Sequence, residues 1–200
     1  MTVSRLVCLA LLTTMSSTVS SAPVRAAAAP DSITIDVRDY ALVARMPMTA
    51  AARRLEEIFQ TGRLPVQLTV DRQDSSSPQR LAVASVTVIV YPRLRGESIA
   101  SEPNVLGWVP GGRTGGRIAY VFASRIEDEA RRHGVDYGRL LGTVLAHEVG
   151  HVLLPGRPHA SAGLMRAVCD AKQIRQLIVG GLEFTAEETA VIRKVMLASH

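Results

Sequence analysis

The first third of the chain after residue 30 switches between two periods. Ile33, Ile35 and Val37 alternate with Thr34, Asp36 and Arg38, the two-residue repeat of a strand with one buried face. Residues 49–61 then place Ala52, Leu55, Ile58 and Phe59 at helical spacing, and Gly62 ends that helix. Residues 66–70 and 86–91 are β-branched runs bounded by Pro, Asp and Ser and are predicted strands. Between them, 71–79 with Ser75, Ser76, Ser77 and Pro78 is predicted to be a surface loop.

The pattern changes character further on. Residues 105–109 form a short predicted strand with Pro103 before it and Pro110 after it, which places it at a sheet edge, because proline removes a ladder donor. A glycine-rich loop, 111–116, leads to a strand at 117–122. Everything after it reads as helix: 125–133, 137–154, roughly 170–179, and 185–197, the last with a capping box from Thr185 and Glu188. Strands with a single helix followed by helices alone predict an α+β domain, with a sheet half and a helical half facing each other across a cleft.

The N-terminus changes the picture of the whole. Arg5, an apolar run over 6–15 and small residues through 22–29 have the layout of a secretory signal peptide cleaved near 26–29. The run is half the length a membrane span requires, so a cleaved leader is preferred over an anchor and no stable membrane insertion is expected afterwards. The expected organisation is residues 1–29 as signal peptide and 30–200 as one domain, exported to the periplasm or medium. Loss of the leader takes Cys8 with it and leaves Cys169 alone, so no intramolecular disulfide forms and a hydrophobic core must hold the fold. The formal charge of +5 loses Arg5 and Arg25 to become +3, with the other arginines scattered. Nucleic-acid binding is not indicated.

The chemistry is concentrated in AHEVGHVLLPGRPH, residues 146–159. Within 140–154 the only groups that can carry charge are His147, Glu148 and His151, set among leucines and valines. Burying them costs several kcal/mol unless they are compensated, and a divalent cation compensates them. Positions i and i+4 share a helix face, so His147 and His151 can direct nitrogens at one point, while Glu148 is turned by about 100° and suits a water beside the cation. This is the H-E-x-x-H pattern. Pro155 and Gly156 then stop the helix, and His159 follows where a returning chain offers a third ligand.

HEVGH, the loop histidine and the later Gly163-Leu164-Met165 together resemble the metzincin group of zinc metallopeptidases. The resemblance implies a metzincin-like single domain: a small twisted mixed sheet, an active-site helix and a C-terminal helix. It further implies zinc bound by His147, His151 and His159, Glu148 as general base, and Met165 as the residue of the Met-turn. The implied activity is that of an endopeptidase, in which Glu148 activates a zinc-bound water against a peptide or protein substrate. The spacing departs from the group: glycine and the third histidine each arrive two residues late, at Gly156 and His159. A monomer without a zymogen step is expected.

Two other readings remain open at this point. A glutamate of a later helix, Glu183 or Glu187, would replace His159 in a thermolysin-like site, or zinc would only brace an exported non-enzymatic binding protein. The 105–109 strand is the candidate edge for an extended peptide, with Trp108 as either a recognition surface or a cover for the core. Arg166 is an oxyanion candidate or an ordinary surface arginine. His133 suits a helix C-terminus, Cys169 a buried thiol, and Asp170 either support for a ligand histidine or a helix cap.

Overall fold

In the computed structural model the described residues are 32–71, 85–92, 105–110, 117–167, 174–175 and 182–198. The expected signal peptide, the glycine-rich loop, Cys169, Asp170 and most of the expected 170–179 helix lie outside them.

Among the described residues, five strands form one mixed sheet. They are β1 (Ile33–Asp39), β2 (Val66–Asp71), β3 (Ser85–Tyr91), β4 (Gly107–Trp108) and β5 (Ile118–Phe122), in the order β2-β1-β3-β5-β4. Every pair is parallel except β4 with β5, which is antiparallel and puts β4 at the edge, as its flanking prolines require. Among the described residues the helices with full bounds are α1 (Arg45–Thr61), α2 (Ala123–His133), α3 (Tyr137–Leu153) and α4 (Ala186–Ala198).

Helix and strand ends differ from the sequence expectation by a few residues, each for a local reason. The first helix starts at Arg45 rather than 49, because Pro47 falls in the first turn, where its missing N–H has no intrahelical partner to lose. Helix α2 begins at Ala123 directly from β5, with no connecting turn, and ends at Gly134, whose φ of 62° is the left-handed cap that glycine accepts most readily. Three basic residues, Arg131, Arg132 and His133, occupy its last turn. The capping box of α4 forms in both directions: Thr185 N donates to Glu188 at 2.7 Å, and Glu188 N to the Thr185 hydroxyl at 3.2 Å.

The helices do not form a separate half. One core joins Ile35, Val37, Val88, Val90, Ala119 and Val121 of the sheet to Leu55, Phe59, Ile126, Leu141 and Leu145 of the helices, so the helical layer lies on one face of the sheet. Alternation in β1 sets this up, with Ile33, Ile35 and Val37 inward and Thr34, Asp36 and Arg38 on the other side. The closest helix contact is α1 with α3. An ideal Cβ on Gly138 would stand 2.7 Å from the Pro47 carbonyl oxygen, and one on Gly142 only 2.3 Å from that of Ala51. Glycine at these positions lets two backbones meet where any side chain would hold them apart.

Phe59 of α1 meets Phe184, just before α4, edge to face at 5.2 Å. Phe184 in turn lies against Gly150 of α3. The core therefore runs without interruption into the region where the histidines gather.

Candidate metal centre

Helix α3 is capped at its start by Asp136, which accepts from Arg139 N at 2.7 Å, and it remains buried along most of its length. Its last two turns carry His147, Glu148 and His151. After Leu153 the chain turns through Pro155 and Gly156, whose φ of 74° is left-handed, and returns toward the helix. Arg157 N donates to the Leu154 carbonyl at 3.3 Å, and its guanidinium pairs with Glu187 at 2.8 Å. The two extra residues seen in the sequence are absorbed in this loop, and His159 arrives beside the helical pair.

The three histidines converge. His151 Nε2 is 3.0 Å from His147 Nε2 and 3.2 Å from His159 Nε2. One ring nitrogen from each lies within 4.8 Å of the others, and among the described residues no other group of histidine, cysteine or carboxylate side chains gathers in this way. Three imidazole donors about 2.0–2.1 Å from a common centre in tetrahedral arrangement would stand about 3.3 Å apart, so the two spacings from His151 are those of ligands to a zinc-sized cation, with the third pair within 4.8 Å.

Protonation agrees with that fit. His147 Nδ1 donates to the Leu164 carbonyl at 2.8 Å; a carbonyl only accepts, so the proton is on Nδ1 and the lone pair on Nε2 points into the cluster. Burial pushes His147 and His151 down to about 4, which keeps both rings neutral and able to ligate. Burial also pushes Glu148 up to about 8, the range of a group that takes and returns a proton near neutrality.

Met165 packs against Gly150 of the helix that carries His147 and His151. It is buried, and an ideal Cβ on Gly150 would lie 2.3 Å from its sulfur, so glycine inside HEVGH is what admits the thioether. The turn that carries Met165 is clasped from both sides: Ala160 N donates to the Met165 carbonyl at 2.9 Å and Leu164 N to that of Glu183 at 2.8 Å. Leu164 thus passes its own carbonyl to His147 while being held by the segment before α4.

A cleft of about 200 Å³ opens between β4 and α3, lined by Leu106, Gly107, Val144, Leu164 and the side chains of His147, Glu148 and His159. A second hollow of about 600 Å³ lies across His159, toward Thr185 and Glu187. The remaining sequence candidates are elsewhere. Glu187 pairs with Arg157, and neither its carboxylate nor that of Glu183 belongs to the cluster. Arg166 closes the turn through its backbone and lines neither hollow. His133 bonds Glu129 at 2.9 Å. Trp108 does not cover the core: it stacks on Tyr120 at 5.7 Å, on the sheet face away from the core cluster.

Sequence reasoning overlooked Gly107. An ideal Cβ there would stand 2.6 Å from the Glu148 carboxyl, a contact hinted at by a lone glycine inside a strand pattern.

No protein-family model and no curated protein sequence matches the chain. Among solved structures it is similar to archaemetzincin from Methanopyrus kandleri, at 16% identity and a TM-score of 0.58, over 84% of this chain and 97% of that one. It is also similar to a zinc-dependent peptidase from Methanocorpusculum labreanum, at 15% identity and a TM-score of 0.52, over 79% and 99%. At such identities the likeness is one of architecture, and the single mixed-sheet domain described above has the archaemetzincin-like fold.

Proposed function

We propose that the protein is a zinc metallopeptidase in which His147, His151 and His159 hold the metal and Glu148 is the general base. The observation that carries this reading is the convergence of three ring nitrogens, with His151 Nε2 3.0 and 3.2 Å from the other two, at a cleft that Glu148 also lines. Zinc, when bound, supplies Lewis-acid polarisation and lowers the pKa of a coordinated water toward 7. Three protein donors leave a position open for chemistry, whereas sites that only brace a fold are usually closed by four. Glu148, buried and without a cationic partner among the described residues, accepts the proton of the attacking water and returns it to the leaving amine. Leu164 fixes the His147 tautomer, and Met165, packed against Gly150 between the two helical histidines, takes the role of a Met-turn residue. The fold shared with a zinc-dependent peptidase supports peptides or proteins as the substrate class.

The export signal read in residues 1–29 adds a periplasmic or secreted location, with 30–200 as the catalytic domain. No helix among the described residues is long and apolar enough to cross a membrane.

The test combines metal analysis with hydrolysis of a mixed peptide library. His159→Ala loses stoichiometric zinc while Glu187→Ala keeps it. Glu148→Ala keeps zinc and loses about 10²–10⁴-fold in rate, the usual contribution of a positioned general base. Full zinc retention by His159→Ala, or equal background rates for wild type and Glu148→Ala, overturns the proposal.

A further inference from the structure

Only Gly107 and Trp108 of β4 pair with β5, yet this strand forms the wall of the cleft opposite α3. Side chains supply what the short ladder lacks. Trp108 stacks on Tyr120 at 5.7 Å and 22°, Tyr120 on Tyr91 at 5.9 Å and 16°, and Tyr91 on Tyr40 at 5.7 Å and 16°. This row of four rings crosses the outer face of the sheet from β4 to the turn after β1. Just upstream, Leu106 O accepts from Phe122 N at 2.9 Å. Arg125, lying over the Phe122 ring, donates to Val105 O at 2.8 Å.

The opposite side of β4 meets Glu148. Because Gly107 pairs with Val121, a core residue, it faces the helical layer, and an ideal Cβ on it would lie 2.6 Å from Cγ, Cδ and Oε1 of Glu148. A side chain at this position must therefore displace either the carboxyl or the strand. The ring row and Arg125 hold the strand.

We propose that β4 positions the Glu148 carboxyl: stacking led by Trp108 clamps the strand toward α3, and the bare Cα of Gly107 is the wall against which the carboxyl is set. The proposal rests on Glu148 carrying the proton, as argued above. A glutamate has three side-chain torsions, and a wall at van der Waals distance removes most of the arrangements open to it. A misplacement of about 1 Å in a reacting group costs on the order of 100-fold in rate. Gly107 and Trp108 act through Glu148 and are positioning residues.

The test compares zinc-loaded wild type, Glu148→Ala, Gly107→Ala, Trp108→Ala and Trp108→Phe on a mixed peptide library, reading kcat, KM and zinc content separately. Gly107→Ala is expected to keep zinc and near-wild-type KM while kcat falls about 100-fold. Trp108→Ala lowers kcat about 10-fold, and Trp108→Phe, which retains a ring for Tyr120 to stack on, regains most of that loss. Because Trp108 is the only tryptophan, acrylamide quenching of its emission follows the strand itself, and quenching in Gly107→Ala is expected to match wild type. Wild-type kcat in Gly107→Ala, or no advantage of Trp108→Phe over Trp108→Ala, overturns the proposal. Should Trp108→Ala fail to fold, Gly107→Ala, which leaves every ring in place, decides alone. Equal rates for wild type and Glu148→Ala sink the catalytic reading and this proposal with it, a result distinct from a failure confined to β4.

Discussion

From Tyr137 to Thr143 helix α3 is pressed against α1, whereas from Val144 to Leu153 it faces β4, the Met165 turn and the loop of His159. Both halves are buried, and by different means. The first sheds side chains, with Gly138 and Gly142 letting the α1 backbone approach until only hydrogen atoms separate the two. The second keeps long polar side chains and buries them, at the cost of holding His147 and His151 near 4 and Glu148 near 8. Close packing satisfies the first half by itself. In the proposed function the second half is satisfied by a cation, which would take the three lone pairs and give Glu148 a reason to ionise.

The strongest way to break this contrast is Gly142→Val. Its Cβ would fall 2.3 Å from a backbone oxygen, which cannot swing aside as a side chain can, so α1 and α3 must separate. Overpacking of this kind costs about 3 kcal/mol or more, which for a domain of this size lowers Tm by roughly 6–12 °C. Zinc affinity per folded molecule should be unchanged. A wild-type melting curve for this variant would mean that the first half is not the scaffold described.

A second experiment sharpens the contrast through pH, on protein stripped of metal. Glu148, raised from 4.5 to about 8, holds its proton more tightly folded than unfolded, so its contribution to stability is present below 4.5 and is lost as pH rises toward 8. His147 and His151, lowered from 6.5 to about 4, contribute fully above 6.5 and lose that contribution as pH falls toward 4. Between 4.5 and 6.5 two histidines outweigh one carboxyl, so stability of the metal-free protein peaks near pH 6.5 and declines on both sides. The loss from 6.5 to 8 is at most about 2 kcal/mol, one proton over that interval. Zinc should abolish the alkaline decline, since a nearby dication favours the ionised carboxyl. Thermal melts across this range with and without zinc check it, and a metal-free profile flat from 6.5 to 8 would contradict a buried, uncompensated Glu148.

The two halves were also unequally legible in the sequence. His147, Glu148 and His151 stood out because charge inside an apolar helix demands a partner, and Pro155-Gly156 made the return of His159 foreseeable. The edge position of β4 followed from its prolines, and the mixed sheet from the metzincin resemblance. The meaning of Gly107, Gly138, Gly142 and Gly150 was hidden. A glycine reports only that something comes close, and what comes close to these four is Glu148, Pro47, Ala51 and Met165, each on another element or turn of the chain. For the same reason the pattern of strands then helices did not reveal that the helices pack on one face of the sheet, since sequence order does not say which face a helix covers.

The smallest expected effect concerns the loop that joins the two kinds of burial. Arg157 occupies the position where the metzincin spacing would put its third histidine, and it pairs instead with Glu187 at 2.8 Å, both groups being largely exposed. The loop is already closed by backbone, through Arg157 N to Leu154 O at 3.3 Å, the left-handed Gly156, and Ala160 N to Met165 O at 2.9 Å. An exposed ion pair adds about 0–1 kcal/mol to such a loop and weakens as salt is added. Arg157→Ala should therefore lower Tm by only a few degrees and quicken zinc release a few-fold at most, with the difference from wild type shrinking in high salt. A loss of zinc comparable to that of His159→Ala would show that side chains rather than backbone hold this ligand in place, and that the late histidine depends on an anchor the helical pair does not need.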